Sequence, residues 1–288
     1  MDSSLLKRFA PALFVLLWST GFIVAKYGTR DAGPLTFLTV RSVISAAVLF
    51  AIARAVREEP LPIGRVPVQL AVGTGIHAMY LGGVWVAINH GLPSGISALI
   101  AALHPVVTTV FGAVFLGESL NQRRGWGAML GFVGVVAVVV DRGGAGDGVT
   151  AFALIAMGIA VMGMSGGTLI QRRYAQGTPL LMGTAWQYAA TSAVLGICAW
   201  NSEQWRFELT SQSMFALAWS VIVLSLAAIL IMLWLLHRQA ASRVSSLFFL
   251  TPALSTMQGA FLFSESVGRL TIIGLVVAAA GVWLATRE

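Results

Sequence analysis

The chain has 288 residues, of which 57% are hydrophobic and only 10% charged, with a mean hydropathy of +0.84. So few charges cannot cover a soluble surface, where about a quarter of residues are normally Asp, Glu, Lys or Arg, and the composition predicts an all-α integral membrane protein. The formal net charge of +7 would suggest nucleic acid in a soluble domain, but here the basic residues fall in short links between apolar segments, which makes membrane lipid the partner and excludes nucleic acid.

Ten apolar segments of bilayer-crossing length follow one another, at approximately 9–28, 34–53, 66–89, 93–116, 122–140, 150–171, 179–200, 213–236, 241–264 and 269–286. The first is as long as a full span, so no cleavable signal peptide is expected. An even number of spans puts both termini on one side. On that side fall Lys7, Arg8, Arg54, Arg57, Arg65, Arg123, Arg124, Arg172, Arg173, Arg238, Arg243 and Arg287. The excess of basic residues in these links predicts cytoplasmic termini.

Span one carries Trp18-Ser19-Thr20-Gly21. Span two holds Arg41, which with Lys26 is placed toward the outer end of its helix, where a long cationic side chain snorkels to the headgroups. Span three sets Gly73, His77, Tyr80 and Val84 on one face, with His77 near mid-depth. An ionisable group at that depth is a functional candidate by default, so His77 and Tyr80 are expected to bind a polar end of a solute while Trp18 and Met164 supply apolar contact. Trp85, Trp200, Trp205 and Trp219 are assigned to the interfacial belt.

Span four sets Ser97, Ala101, His104 and Thr108 on one helical face, beside Pro105, which frees a backbone carbonyl. Such a carbonyl can accept from a substrate ammonium. These polar groups serve one of two purposes, lining a cavity or tying helices together. The small residues Gly127 and Gly131 in span five, and Gly274 and Ala278 in span ten, form small-xxx-small faces for close packing.

The block from His104-Pro105 through Gly112 to Gly117-Glu118 returns as Thr251-Pro252 through Gly259 to Ser264-Glu265, every pairing 147 residues apart. Gly127, Gly131 and Gly134 likewise fall on Gly274, Ala278 and Gly281. Two units are therefore predicted, residues 1–142 and 149–288, joined by a Gly-rich stretch at 143–148. Five spans per unit invert the second relative to the first, the layout of alternating access about a site near the midplane. On span nine the shifted face carries Val244, Phe248, Thr251 and Ser255.

Trp18-Ser19-Thr20-Gly21, the His104-Pro105 to Gly117-Glu118 block and its return at Thr251-Pro252 resemble the drug/metabolite transporter superfamily, and within it the EamA-type exporters, especially those of aromatic amino acids. The resemblance covers nearly the whole length. It implies an inner-membrane carrier with ten transmembrane helices and a central cavity lined by spans one, three, four, six, eight and nine. The substrate-binding candidates are then Trp18, Ser19, His77, Tyr80, Ser97, His104, Met164, Ser165, Ser225, Phe248 and Thr251.

No Asp or Glu lies deep in a span, which argues against a cation/proton antiporter built on a buried carboxylate. With Lys26 and Arg41 assigned to the headgroups, no cationic clamp for phosphate remains. A neutral amphiphile is expected, with aromatic or large neutral amino acids first, moving by uniport. Proton coupling would fall to His77 or His104. Gly163-Met164-Ser165-Gly166 also fits an intramembrane serine-protease pattern with His77, His104 or His237 as partner, yet Ser165 is more simply the repeat counterpart of Ser19. The chain is expected to be no enzyme. The lone Cys198 permits no disulfide or thiolate cluster, and no metal or nucleotide signature appears, so no cofactor is expected. Since one chain holds both units, a functional monomer is predicted.

Overall fold

The computed structural model describes residues 3–117, 122–144, 149–228, 231, 235 and 250–286. The described residues form helices joined by turns and short irregular links, with one isolated bridge between Ala32 and Phe207. In chain order the helices are α1 Ser3–Asp31, α2 Pro34–Ala55, α3 Ile63–Asn89, α4 Ser94–Ala101, α5 His104–Leu116, α6 Gln122–Gly144, α7 Ala151–Tyr174, α8 Leu180–Ser202, α9 Ser211–Ala228, α10 Thr251–Phe263 and α11 Arg269–Thr286. Six helical stretches, Phe9–Asp31, α2, α3, Ser94–Phe115, α7 and α9, are long and apolar enough to cross a membrane. Large apolar side chains such as Phe115, Phe132, Val140 and Phe261 stand exposed, as a lipid-facing surface requires. The Gly-rich join at 145–148, Glu118, His237, Val244 and Phe248 lie outside the described residues.

The fourth apolar segment is two helices rather than one. Pro105 has no N–H to donate, so the carbonyl of Ala101 loses its helical partner. His104 Nδ1 takes that carbonyl at 3.1 Å, and α5 restarts with the proline in its first turn. α10 has the same form at the positions 147 residues on: 13 residues, proline in the first turn, and a left-handed residue closing it, Ser264 there and Gly117 in α5. Two further distortions follow that spacing. α3 is π-helical over Thr74–Met79, and α9 over Trp219–Ala228, which includes the corresponding positions 221–226.

α2 and α8 pack side by side along their length, running in opposite directions. Each is closed at its start by a glutamate beyond the other's end. Glu203 accepts from Leu35 N at 2.9 Å and from Thr36 N at 2.7 Å, while Glu58 accepts from Leu181 N at 3.1 Å and Met182 N at 2.7 Å. A carboxylate on the free N–H groups of a helix start satisfies donors that lipid cannot. It also complements the positive end of the helix dipole.

α6 and α11 form the most extensive helix pair, through the predicted stripe of small residues. A Cβ added at Gly281 would stand 2.1 Å from Gly131 N, and one at Gly134 2.6 Å from Ala278 N. The backbones touch, and no side chain fits between them. Gly281→Ala therefore forces the two helices apart. It is expected to cost about 1–3 kcal/mol, the usual range for overpacking, seen as a lower unfolding midpoint of the purified protein in detergent.

Candidate functional site

α1, α3, α5, α7 and α8 enclose two adjoining chambers. The larger has a volume of about 400 Å³ and is lined by side chains including Trp18, His77, Tyr80, His104, Met164 and Thr251, a size suited to a small organic ligand. It extends past Thr168 and Gln171 on α7 to Leu180 and Thr184 at the start of α8, the end of the molecule that bears the Lys- and Arg-rich links. The inner recess, about 110 Å³, shares Trp18, Phe22, Ile76, His77, Tyr80 and Met164 with it and adds Arg41, Val84, Trp85, Tyr188 and Leu224. Among the described residues the lining is chiefly apolar and contains no Asp or Glu.

At the opposite end the helices are closed. Lys26 Nζ lies 2.7 Å from Glu265 Oε1, and the same carboxylate accepts from Ser94 N and Oγ at 3.1 and 3.2 Å, capping α4. Tyr27 packs on Phe263 with ring centroids 5.0 Å apart, and Lys26 and Arg30 lie over the Phe263 ring. One glutamate beyond α10 thus holds α1 and the start of α4 together. Lys26 is ion-paired here rather than extended to headgroups.

Six of the sequence candidates line the chambers: Trp18, His77, Tyr80, His104, Met164 and Thr251. His77 is held from two sides. Its ring stacks on Tyr188 at 4.6 Å between centroids, and its Nε2 lies 3.2 Å from Gln187 Oε1. An amide oxygen only accepts, so that nitrogen carries the proton and Nδ1 is left as an acceptor. The chain continues from Gln187 Nε2 to Gln69 Oε1 at 2.7 Å and from Gln69 Nε2 to Thr178 Oγ1 at 3.4 Å. The Tyr80 hydroxyl has no protein hydrogen-bond partner among the described residues. His104 donates through Nδ1 to the Ala101 carbonyl. That carbonyl, expected to be open to a substrate ammonium, is thus already engaged.

Four other candidates are placed elsewhere. Ser19 is fully buried between α1 and α10, where its hydroxyl donates to Leu16 O and accepts from Gln258 Nε2, while its carbonyl accepts from Ser255 Oγ. Ser97, also fully buried, donates to Pro93 O. Ser165 donates to the backbone carbonyl of His104 at 3.0 Å, tying α7 to α5 instead of meeting a histidine ring. Ser225 lies behind the recess, where it receives Arg41 and Tyr188. Short hydroxyl side chains at helix crossings find a neighbouring backbone more readily than they reach a cavity. Phe248 lies outside the described residues.

Two expectations are corrected. Trp85 is not in an interfacial belt but is 1% exposed, packed on Phe37 at 4.8 Å between centroids, and lines the recess. Trp219 points inward and donates through Nε1 to Thr20 Oγ1 at 3.0 Å. Arg41 does not snorkel: it is 5% exposed and faces the recess. It stands seven residues, about 10 Å, into α2, on the face turned to α8 and α9 and away from the exposed surface. Sequence reasoning also missed Tyr188, Gln187 and Gln69. One signal for Tyr188 was present, because it follows Arg41 by the repeat spacing of 147 residues.

The profile of the EamA-like transporter family matches residues 9–140 and 151–287. An uncharacterized transporter of Bacillus subtilis (strain 168), YvbV, is 26% identical over 96% of this chain and 90% of its own length. A protein of Salmonella typhimurium described as a probable amino-acid metabolite efflux pump is 22% identical over 96% of this chain and 93% of its own. The uncharacterized inner membrane transporter YedA of Escherichia coli (strain K12) is 25% identical over 96% of this chain. A solved crystal structure covers 96% of this chain with a TM-score of 0.66 at 21% identity, a likeness of fold.

The amide chain behind His77 makes a testable demand. Gln187→Leu would strand the Gln69 carbonyl oxygen between packed helices and leave the His77 N–H without its protein partner. The expected loss is about 1–3 kcal/mol of stability, the usual penalty for unpaired buried polar groups, read as a lower thermal midpoint in detergent.

Proposed function

Because the chain belongs to the EamA-like transporter family, we propose that this membrane transporter exports small amphiphilic metabolites, with aromatic and large neutral amino acids as its first substrates. The observation that carries this is the chamber of about 400 Å³, chiefly apolar, with polar groups gathered at His77, Tyr80 and His104. An aromatic side chain would lie against Trp18, Phe22 and Met164, where ring and thioether contacts suit a flat apolar solute. The description of the Salmonella relative as an amino-acid metabolite efflux pump supports the same substrate class.

The mechanism proposed is alternating access by ten spans in two inverted units, within a single functional chain of the inner membrane. Supporting it are the antiparallel α2 and α8 with their reciprocal glutamates, the matching forms of α5 and α10, and the π-helical segments at corresponding positions. If the basic links are cytoplasmic, the chamber opens to the cytoplasm and the Lys26–Glu265 contact closes the outer end. Export follows from the cytoplasmic excess of metabolite. Among the described residues the chamber's lining has no carboxylate to exchange a proton, so uniport is the simplest mechanism.

Purified protein in proteoliposomes should give saturable flux of labelled phenylalanine, competed by large neutral amino acids and unchanged by an imposed proton gradient. Trp18→Ala and His77→Ala should each raise KM by about tenfold, about 1.4 kcal/mol of lost binding. Absence of amino-acid flux from folded protein contradicts the substrate class. Steep acceleration by a proton gradient contradicts uniport.

A further inference from the structure

The recess contains a charge that the proposed function does not use. Arg41 is 5% exposed and lines the recess; Nε and Nη2 both lie 3.2 Å from one atom, Ser225 Oγ. Tyr188 Oη lies 3.2 Å from the same oxygen. The two hydroxyls, Ser225 and Tyr188, are the neutral partners of this cation. A guanidinium has five N–H donors. Among the described residues Arg41 meets only the neutral hydroxyls of Ser225 and Tyr188 and has no acidic partner. Asp31, Glu58, Glu203, Glu208 and Glu265 are engaged near helix ends, with Thr210, the start of α8, the start of α2, Arg206 and Lys26 respectively.

A buried cation is retained where it is paired or where it serves a ligand, because desolvating it costs several kcal/mol. Were its purpose only to tie α2 to α9, a residue without charge would bond Ser225 as well. Instead the guanidinium is presented to a cavity whose described lining holds no acid and no other Lys or Arg. Among the described residues the chamber therefore carries one fixed positive charge. Opposite it lie the apolar surfaces of Phe22, Ile76, Met164 and Leu224.

We infer that Arg41 is the residue that recognises the substrate's carboxylate, and that the cavity takes amphiphilic monocarboxylates. This rests on the transporter reading above and deepens it. A carboxylate meets a guanidinium through two parallel charge-assisted bonds. A phosphate monoester, with nearly two charges, finds only one cation. The α-ammonium of an amino acid finds neutral acceptors but no anion. Amino acids then bind as one instance of a class in which the ammonium group is dispensable.

Ligand protection of purified full-length protein against thermal unfolding tests this, with 3-phenylpropionate, its neutral isostere 3-phenylpropionamide, and phenylalanine as probes. The acid should protect at concentrations about tenfold or more below those needed for the amide, the margin expected of a charge-assisted pair. In Arg41→Gln that preference should vanish, and in Arg41→Lys part of it should remain. If Arg41→Gln does not fold, the comparison of acid with amide on the unaltered protein decides. Equal protection by acid and amide, protection by neither, or a preference unchanged in Arg41→Gln would each overturn the assignment. Protection by 3-phenylpropionate without phenylalanine flux would sustain the assignment and remove the amino-acid substrates. Phenylalanine flux with equal protection by acid and amide would do the reverse.

Discussion

The free N–H groups at a helix start need acceptors, and in the pairing of α2 with α8 the protein itself supplies them. Each helix is capped by the glutamate that follows the other, Glu203 on Leu35 and Thr36, Glu58 on Leu181 and Met182. The caps fix the two helices antiparallel and in register. Arg41 and Tyr188, 147 residues apart in sequence, then arrive at one point, Ser225, on the wall of the recess. Tyr188 in turn supplies the face on which His77 stacks. The polar floor of the cavity is a consequence of how two helix ends are closed.

The same economy appears at the opposite closure. Glu265 caps α4 and pairs with Lys26 of α1, so one carboxylate joins both helices at that end. Carriers that expose one site to two sides in turn need such a cluster, held strongly enough to seal and weakly enough to open. An ion pair whose Lys26 side chain is a third exposed is of modest strength. The glycine contacts of α6 with α11 offer no comparable freedom, since their backbones already touch.

Much of this organisation was legible in the residues. α5 and α10, which share length, proline and left-handed close, stand at the 147-residue spacing visible in the sequence. The glycine stripe marked α6 and α11 as tightly packed. His77 and Tyr80, which helical periodicity puts on one face of α3, line the chamber, as do Trp18 and Met164. Ser19, Ser97 and Ser165 were misplaced because periodicity cannot say whether a hydroxyl looks across a cavity or onto a neighbouring carbonyl. Arg41 was misjudged for a related reason: its depth was readable, but the direction it faces depends on α8 and α9, distant in sequence. The π-helical turns over Thr74–Met79 and Trp219–Ala228 have no local signature in propensity.

Access to the chamber from one side only is the central claim, and sided labelling tests it most directly. In a Cys198→Ser background, Thr184→Cys places a thiol at the mouth of the larger chamber. A membrane-impermeant maleimide should label it from the cytoplasmic face of oriented vesicles, and bound substrate should slow that labelling. Labelling from the outer face alone, or labelling indifferent to substrate, would contradict the account.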